Sequence, residues 1–200
     1  HRIGIASALR FSEQFTEHKQ GLPVRTRAAQ QLYALKDYPA AIAAAQPIID
    51  QAQVPEKLQL SAWTVIAHAE FDQADFQRAE LAYREVLARS ARDDKQRVKF
   101  EEKLAASIYK QGEQEKAAGN LAGAADHFLR IASAVPASSI NVTAQYDAAA
   151  AYSALKQWPR AIHILEKWRR DNPQHKLQGD VTRKLAVLYQ ENNQPLHAAG

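Results

Sequence analysis

The residues of this chain best suited to metal binding or proton transfer are seven histidines: His1, His18, His68, His127, His163, His175 and His197. No two of them lie three or four residues apart, the spacing that sets two imidazoles on one helical face to share a zinc ion. Cysteine is absent, which removes disulfides and thiolate metal sites. No Gly-x-Ser-x-Gly elbow, phosphate-cradling glycine loop or dinucleotide fingerprint occurs. The expectation is a chain that is not an enzyme and holds no metal or cofactor. Asn141-Val142-Thr143 has the form of a glycosylation acceptor and is read as a chance match. What the side chains offer instead is non-covalent recognition, through tyrosines, phenylalanines and interleaved charges, and that depends on the elements that position them.

Those elements repeat. Gly119-Asn120 reads as a turn, since glycine enters the left-handed region freely and asparagine both tolerates it and caps a following helix. Ala124, Phe128 and Ile131 then fall on one helical face, and Pro136 closes the segment. Before the turn, Ile108 and Gly112 share a face of another helix, where a small residue lets two helices approach closely. The pattern recurs around Ala41, Ala79, Ala124, Ala161 and Ala198, which are 38, 45, 37 and 37 residues apart. Four residues after the first four alanines stand Ala45, Tyr83, Phe128 and Leu165. Hairpin turns are expected near Asp37, Asp75, Gly119, Gln157 and Asn193.

This order resembles the tetratricopeptide (TPR) motif, an aromatic, Leu-Gly, Tyr, Ala-x-x-x-Phe and Pro spread over two antiparallel helices. Gly112, Ala124, Phe128 and Pro136 carry it. So do Trp63-x-x-Ile66-Ala67, Ala148-Ala149-x-x-Tyr152, Leu185-Ala186-x-x-Tyr189 and Pro173. The resemblance implies an all-α fold, an α-solenoid of antiparallel helix pairs winding as a right-handed superhelix. Its segments would be 1–20 as a second helix of a preceding repeat or a cap, repeats at 22–55, 60–92, 93–138 and 142–175, and a truncated repeat at 179–200. The third repeat is longer by eight residues than the next. They extend either its first helix, as an overhanging docking arm, or the loop around Arg92–Asp94. Both ends read as cuts in a longer array. Repeat separations above the usual ~34 residues, with Asn172-Pro173 and Val135-Pro136 links, more loosely resemble TPR proteins of the bacterial cell envelope, of the Tol-Pal coordinator and outer-membrane assembly lipoprotein type.

In such folds the first helix of each pair lines a concave surface. Measured from Gly112 at 100° per residue, one stripe holds Tyr109, Glu113 and Lys116. The equivalent stripes are Thr26, Gln30 and Tyr33; Thr64, His68 and Phe71; Tyr146, Ala150 and Ser153; and Arg183, Val187 and Gln190. The expected partner-binding residues are Tyr33, Thr64, His68, Phe71, Tyr109, Glu113, Lys116, Tyr146, Ser153, Arg183 and Gln190, with Phe71 and Tyr146 also suited to packing on adjacent helices. Chaperone-binding TPR domains carry a Lys/Asn clamp, and no clamp asparagine stands at these positions, which argues against an Hsp70/Hsp90 co-chaperone.

Charge and composition agree. Apolar residues make up 46% of the chain and glycine only 7 positions, and no run approaches the ~20 apolar residues of a membrane span. The net charge of +4 comes from mixed runs such as Arg92–Lys103, where Asp93 and Arg97 are spaced to pair on a helix. Nucleic-acid binding would want a one-signed stripe and is disfavoured; Lys167–Arg170 is the nearest to one. The reading is a protein–protein interaction scaffold that binds a peptide or partner protein in its groove, in a bacterial envelope assembly, periplasmic or outer-membrane-associated, with the cytoplasm left open. The alternatives are a regulatory or substrate-recruiting segment of a larger enzyme, such as a glycosyltransferase or cell-wall hydrolase, and a spacer for self-association.

Overall fold

A computed structural model describes residues 2–15 and 18–193, and every described element in it is an α-helix or a turn. The helices are α1 (Arg2–Gln14), α2 (Gly21–Ala34), α3 (Tyr38–Asp50), α4 (Glu56–Asp72), α5 (Phe76–Arg89), α6 (Arg97–Ala117), α7 (Leu121–Ala134), α8 (Ile140–Ala154), α9 (Trp158–Asp171) and α10 (Gln178–Glu191). They pack as successive helix pairs, an α-solenoid, within two compact units, His1–Ser107 and Ile108–Gly200. In the first unit α2 meets α3, α3 meets α4, α4 meets α5, and α2 also touches α4. The first helices of consecutive pairs are therefore neighbours on one face. In the second unit α7, α8, α9 and α10 pack in sequence. The expected Ala198 repeat position lies outside the described residues.

The alanine register is a packing register. Ala41, Ala79, Ala124 and Ala161 are each 0% exposed. One turn further Ala45, Tyr83, Phe128 and Leu165 are buried, and one more turn brings the buried Ile48, Val86, Ile131 and Trp168. Each second helix thus points one stripe inward, and the small residue at its start lets it lie close against its partner.

The turns obey the same register. Lys36, Ala74, Gly119, Lys156 and Asn193 all have positive φ, between 55° and 84°. The first four stand five residues before a repeat alanine. Each closes its helix in the same way: the next residue's N–H reaches back five residues, Asp37 to Leu32, Asp75 to Glu70, Asn120 to Glu115 and Gln157 to Tyr152, at 2.9 to 3.0 Å. This is the Schellman closure, and it requires the left-handed residue. Asp75 and Asn120 then cap the following helices, accepting from the N–H groups of Arg78 and Gly123. Only Gly119 meets the positive φ without steric cost. Ala74→Gly and Lys156→Gly should therefore raise stability by about 0.5–1 kcal/mol, the relieved strain outweighing the unfolded-state entropy that glycine adds. Denaturant midpoints check this, and a loss at both positions would contradict it.

The eight extra residues of the third repeat go mostly into helix. α6 has 21 residues against 15 in α8, and the loop before it is two residues longer. Of the two alternatives the extension of the first helix forms, but its start does not overhang. The start of α6 packs back on its own unit: Arg97 Nη1 donates to the carbonyls of Leu87 and Ser90, at 2.8 and 3.0 Å. Phe100 is buried, with its ring 6.4 Å from that of His68. Arg97 also pairs with Glu101 and not with Asp93, which stands in the loop before the helix. The free carbonyls at the end of α5 need donors, and Arg97 supplies them.

Candidate functional site

The first unit holds a pocket of about 400 Å³ between α2, α4 and the start of α6. Gln30 and Tyr33 line it from α2, Leu60, Ser61, Thr64, Val65 and His68 from α4, and Asp94, Gln96 and Phe100 from the segment entering α6. The helical phase that put Gln30 and Tyr33 beside Thr64 and His68 in the sequence thus brings them to one cavity. Asp94, Gln96 and Phe100 were missed. The signal for them was the eight-residue insertion, whose first turn folds back to wall the pocket.

Tyr33 is fixed across the repeat boundary. Its hydroxyl donates to Asp72 Oδ2 at 2.8 Å, and its ring lies 5.8 Å from that of His68. Burial and the Asp72 carboxylate push its phenol up to about 12. Thr64 donates to the Leu60 carbonyl at 2.7 Å, which leaves its oxygen lone pairs as acceptors. His68 sits among the rings of Tyr33, Tyr83 and Phe100. Burial, and then the Lys103 ammonium, lower its pKa, with Asp72 opposing. The fold therefore prefers the neutral imidazole. With the folded pKa below the unfolded value, this preference is fully present above the ordinary histidine range and is lost as pH falls. Wild-type protein should accordingly lose stability between pH 7 and pH 5 by more than a His68→Gln variant does. Parallel denaturant curves at the two pH values test this; equal losses would remove His68 as the cause.

Phe71, one turn beyond His68, contacts Phe76 and Tyr83 and carries the Lys103 ammonium 4.2 Å over its ring. Thr26, by contrast, is buried and bonds to the Leu22 carbonyl of its own helix.

In the second unit Tyr109 donates to Asp147 Oδ2 at 2.6 Å and packs on Phe128, ring centres 5.0 Å apart. Burial and Asp147 push its phenol well up. Tyr146, on the next first helix, lies under the Lys184 ammonium at 4.7 Å. The two tyrosines make the same step: each engages the residue 38 positions on, a carboxylate in one case and an ammonium in the other. Glu113 pairs with Lys110 at 2.6 Å, and Lys116 is exposed in the last turn of α6. Ser153 is half-buried near the end of α8, and Gln190 is exposed on α10. Arg183 is exposed and paired with Asp180. The structure thus gathers Tyr33, Thr64 and His68 into one pocket and places Tyr109 and Tyr146 on neighbouring first helices. Arg183 and Gln190 are on α10, the helix whose Lys184 reaches the Tyr146 ring.

Other candidates resolve simply. Among the described residues no three His, Asp or Glu side chains gather as metal ligands would, and no helix is long and apolar enough to cross a membrane. His163 is exposed, and His127 lies against Arg130. The Asn141 amide nitrogen, the atom a glycan would use, donates to the Val135 and Pro136 carbonyls. Lys167 of the basic run pairs with Asp171. Its neighbour Trp168 is buried, its indole N–H on the Val142 carbonyl.

No family model matches the chain, and no curated protein matches it. Among solved structures it is similar to YrrB, a TPR protein described as having an unusual peptide-binding site. The identity is 12%, with 96% of this chain and 88% of that one covered and a TM-score of 0.45. MamA matches at 13% identity, covering 91% and 88%, with a TM-score of 0.46. The TPR2AB domain of yeast Sti1, solved in complex with pHSP90, matches at 15%, covering 97% and 80%, with a TM-score of 0.40. At these scores the fold stands on this chain's own helix pairs. TPR proteins are among the solved structures that the chain resembles.

Proposed function

We propose that this chain is a non-catalytic TPR-type scaffold that holds an extended peptide or a helix of a partner protein against its first helices, within a bacterial cell-envelope assembly. One observation carries the reading. Gln30, Tyr33, Thr64 and His68, residues of one phase on two consecutive first helices, line a single pocket. Rigid aromatic side chains with polar tips give contact area together with hydrogen-bonding capacity, and the Tyr33–Asp72 bond holds one of them in place before a partner arrives. The placement in the periplasm or at the outer membrane rests on the resemblance of repeat length and linkers, and fractionation of cells carrying the tagged chain tests it.

Binding is tested with the partner that a pull-down recovers. Tyr109→Ala and Tyr146→Ala are each expected to weaken its affinity by more than about 1 kcal/mol, the scale of an interface hot spot. Reversing Lys167, Arg169 and Arg170 should change little. Calorimetry on each variant, with a thermal melt beside it, separates lost contacts from lost structure, since the Tyr109 ring also packs on Phe128. Normal binding by both tyrosine variants, with binding abolished by the charge reversal, would move the site to the second-helix side.

A further inference from the structure

The proposed groove reading leaves open what chemistry the bound segment presents, and the first-unit pocket carries an answer. Its lining contains aromatic rings, hydroxyls and amides and one carboxylate, Asp94, and no lysine or arginine. Asp94 Oδ1 accepts the Gln96 N–H at 2.8 Å. A carboxylate has about four lone-pair sites, so that turn bond leaves it able to accept from a ligand. A second carboxylate, Asp72, stands behind the Tyr33 hydroxyl. Of the lysines on this segment, Lys95 and Lys99 are exposed and Lys103 is seated over the Phe71 ring. His68 adds no charge of its own, because burial favours its neutral form.

We propose that this pocket receives a lysine or arginine side chain of the bound segment, Tyr33 and Phe100 flanking its aliphatic stem and Asp94 pairing with its charge. Aromatic faces attract ammonium and guanidinium groups, more strongly as water is excluded, and a carboxylate at the rim fixes which charge enters. The chain already uses this chemistry on itself, in Lys103 over Phe71 and Lys184 over Tyr146. An acidic or C-terminal carboxylate group would instead meet Asp94 with no cation in the lining to offset it.

The proposal rests on the groove reading, and the experiment separates the two. Random nonapeptides displayed on messenger RNA are selected against the full chain. The strongest binders are then synthesised and titrated against wild type, Asp94→Asn and Thr64→Arg. Asparagine keeps an oxygen for the Gln96 N–H while removing the charge, and arginine fills the half-exposed mouth of the pocket with a cation. The expected result is a recurrent lysine or arginine whose replacement by glutamine weakens binding about tenfold on wild type and little on Asp94→Asn, with Thr64→Arg binding at least tenfold more weakly. Binders whose key residue is acidic or apolar, and that lose affinity on Thr64→Arg, would overturn the cationic specificity and leave the groove standing. Basic binders indifferent to both variants would place their site elsewhere and overturn the proposal. Failure to select any binder that Thr64→Arg or Tyr146→Ala weakens would overturn the groove reading with it.

Discussion

Trp168→Ala should cost the folded chain about 3–5 kcal/mol, the range for deleting a fully buried tryptophan. The ring is 0% exposed and stands two turns after Ala161, where the other second helices place Ile48, Val86 and Ile131. It is the largest fully buried side chain among the described residues, and it is tied down from several sides. The indole N–H donates to the Val142 carbonyl of α8 at 2.8 Å, and the His175 ring meets it edge-on at 5.1 Å. The Trp168 carbonyl accepts from both the backbone N–H and the side-chain amide of Asn172. Truncation removes the contact between α9 and α8 and the anchor of the link to α10 together, within the unit Ile108–Gly200. The neighbouring helices can close only part of the cavity, because their backbones are held by their own turns. Urea unfolding followed by circular dichroism reads the loss, since Trp63 and Trp158 would confuse a fluorescence signal. The midpoint should fall with the slope unchanged. A loss under about 1 kcal/mol would mean that the second-helix stripe is not the core of this unit.

The repeat register was legible because packing writes it locally. A small residue must stand wherever two helices cross closely, so the alanines recur, and one-turn steps from them lead to the buried stripe. The left-handed residues share that register, but one was expected from the sequence only at Gly119. Lys36, Ala74 and Lys156 carry no local signal, because the Schellman bonds of the finished turn impose their positive φ on residues that do not favour it. The first-helix phase was enough to place Tyr33, Thr64 and His68 together, since 100° per residue holds within any helix. It could not place Lys103 over Phe71 or Lys184 over Tyr146, which are 32 and 38 residues apart and meet through the stacking of one pair on the next. The start of α6 was misjudged for a related reason. Its charged run reads as a solvated face, and only the folded chain shows that Arg97 reaches back to two unpaired carbonyls and that Phe100 closes a pocket.

Gly112 gives the second large effect, and here two forces point in opposite directions. In a helix interior, alanine is favoured over glycine by about 1 kcal/mol, so on propensity alone Gly112→Ala would stabilise α6. A Cβ at this position, however, would lie 2.6 Å from Phe128 Cε1 and 2.8 Å from Cδ1, distances that real side chains do not tolerate. The ring cannot readily turn away. Phe128 is 1% exposed, and the Tyr109 ring packs against it. Relief must come from moving α6 away from α7, and overpacking of this kind costs about 1–3 kcal/mol, occasionally more. The clash therefore outweighs the propensity, and Gly112→Ala should lose about 1–2 kcal/mol net. Gly112→Leu, which drives a whole side chain into the ring, should lose about 3 kcal/mol or more. The cause can be isolated with Phe128→Leu, which trims the ring that the new methyl would strike. If the close approach selects glycine, Gly112→Ala/Phe128→Leu should be more stable than the two single losses added together, by at least about 0.5 kcal/mol of coupling. Strict additivity, or a Gly112→Ala variant more stable than wild type, would show that propensity and not the helix crossing governs this position.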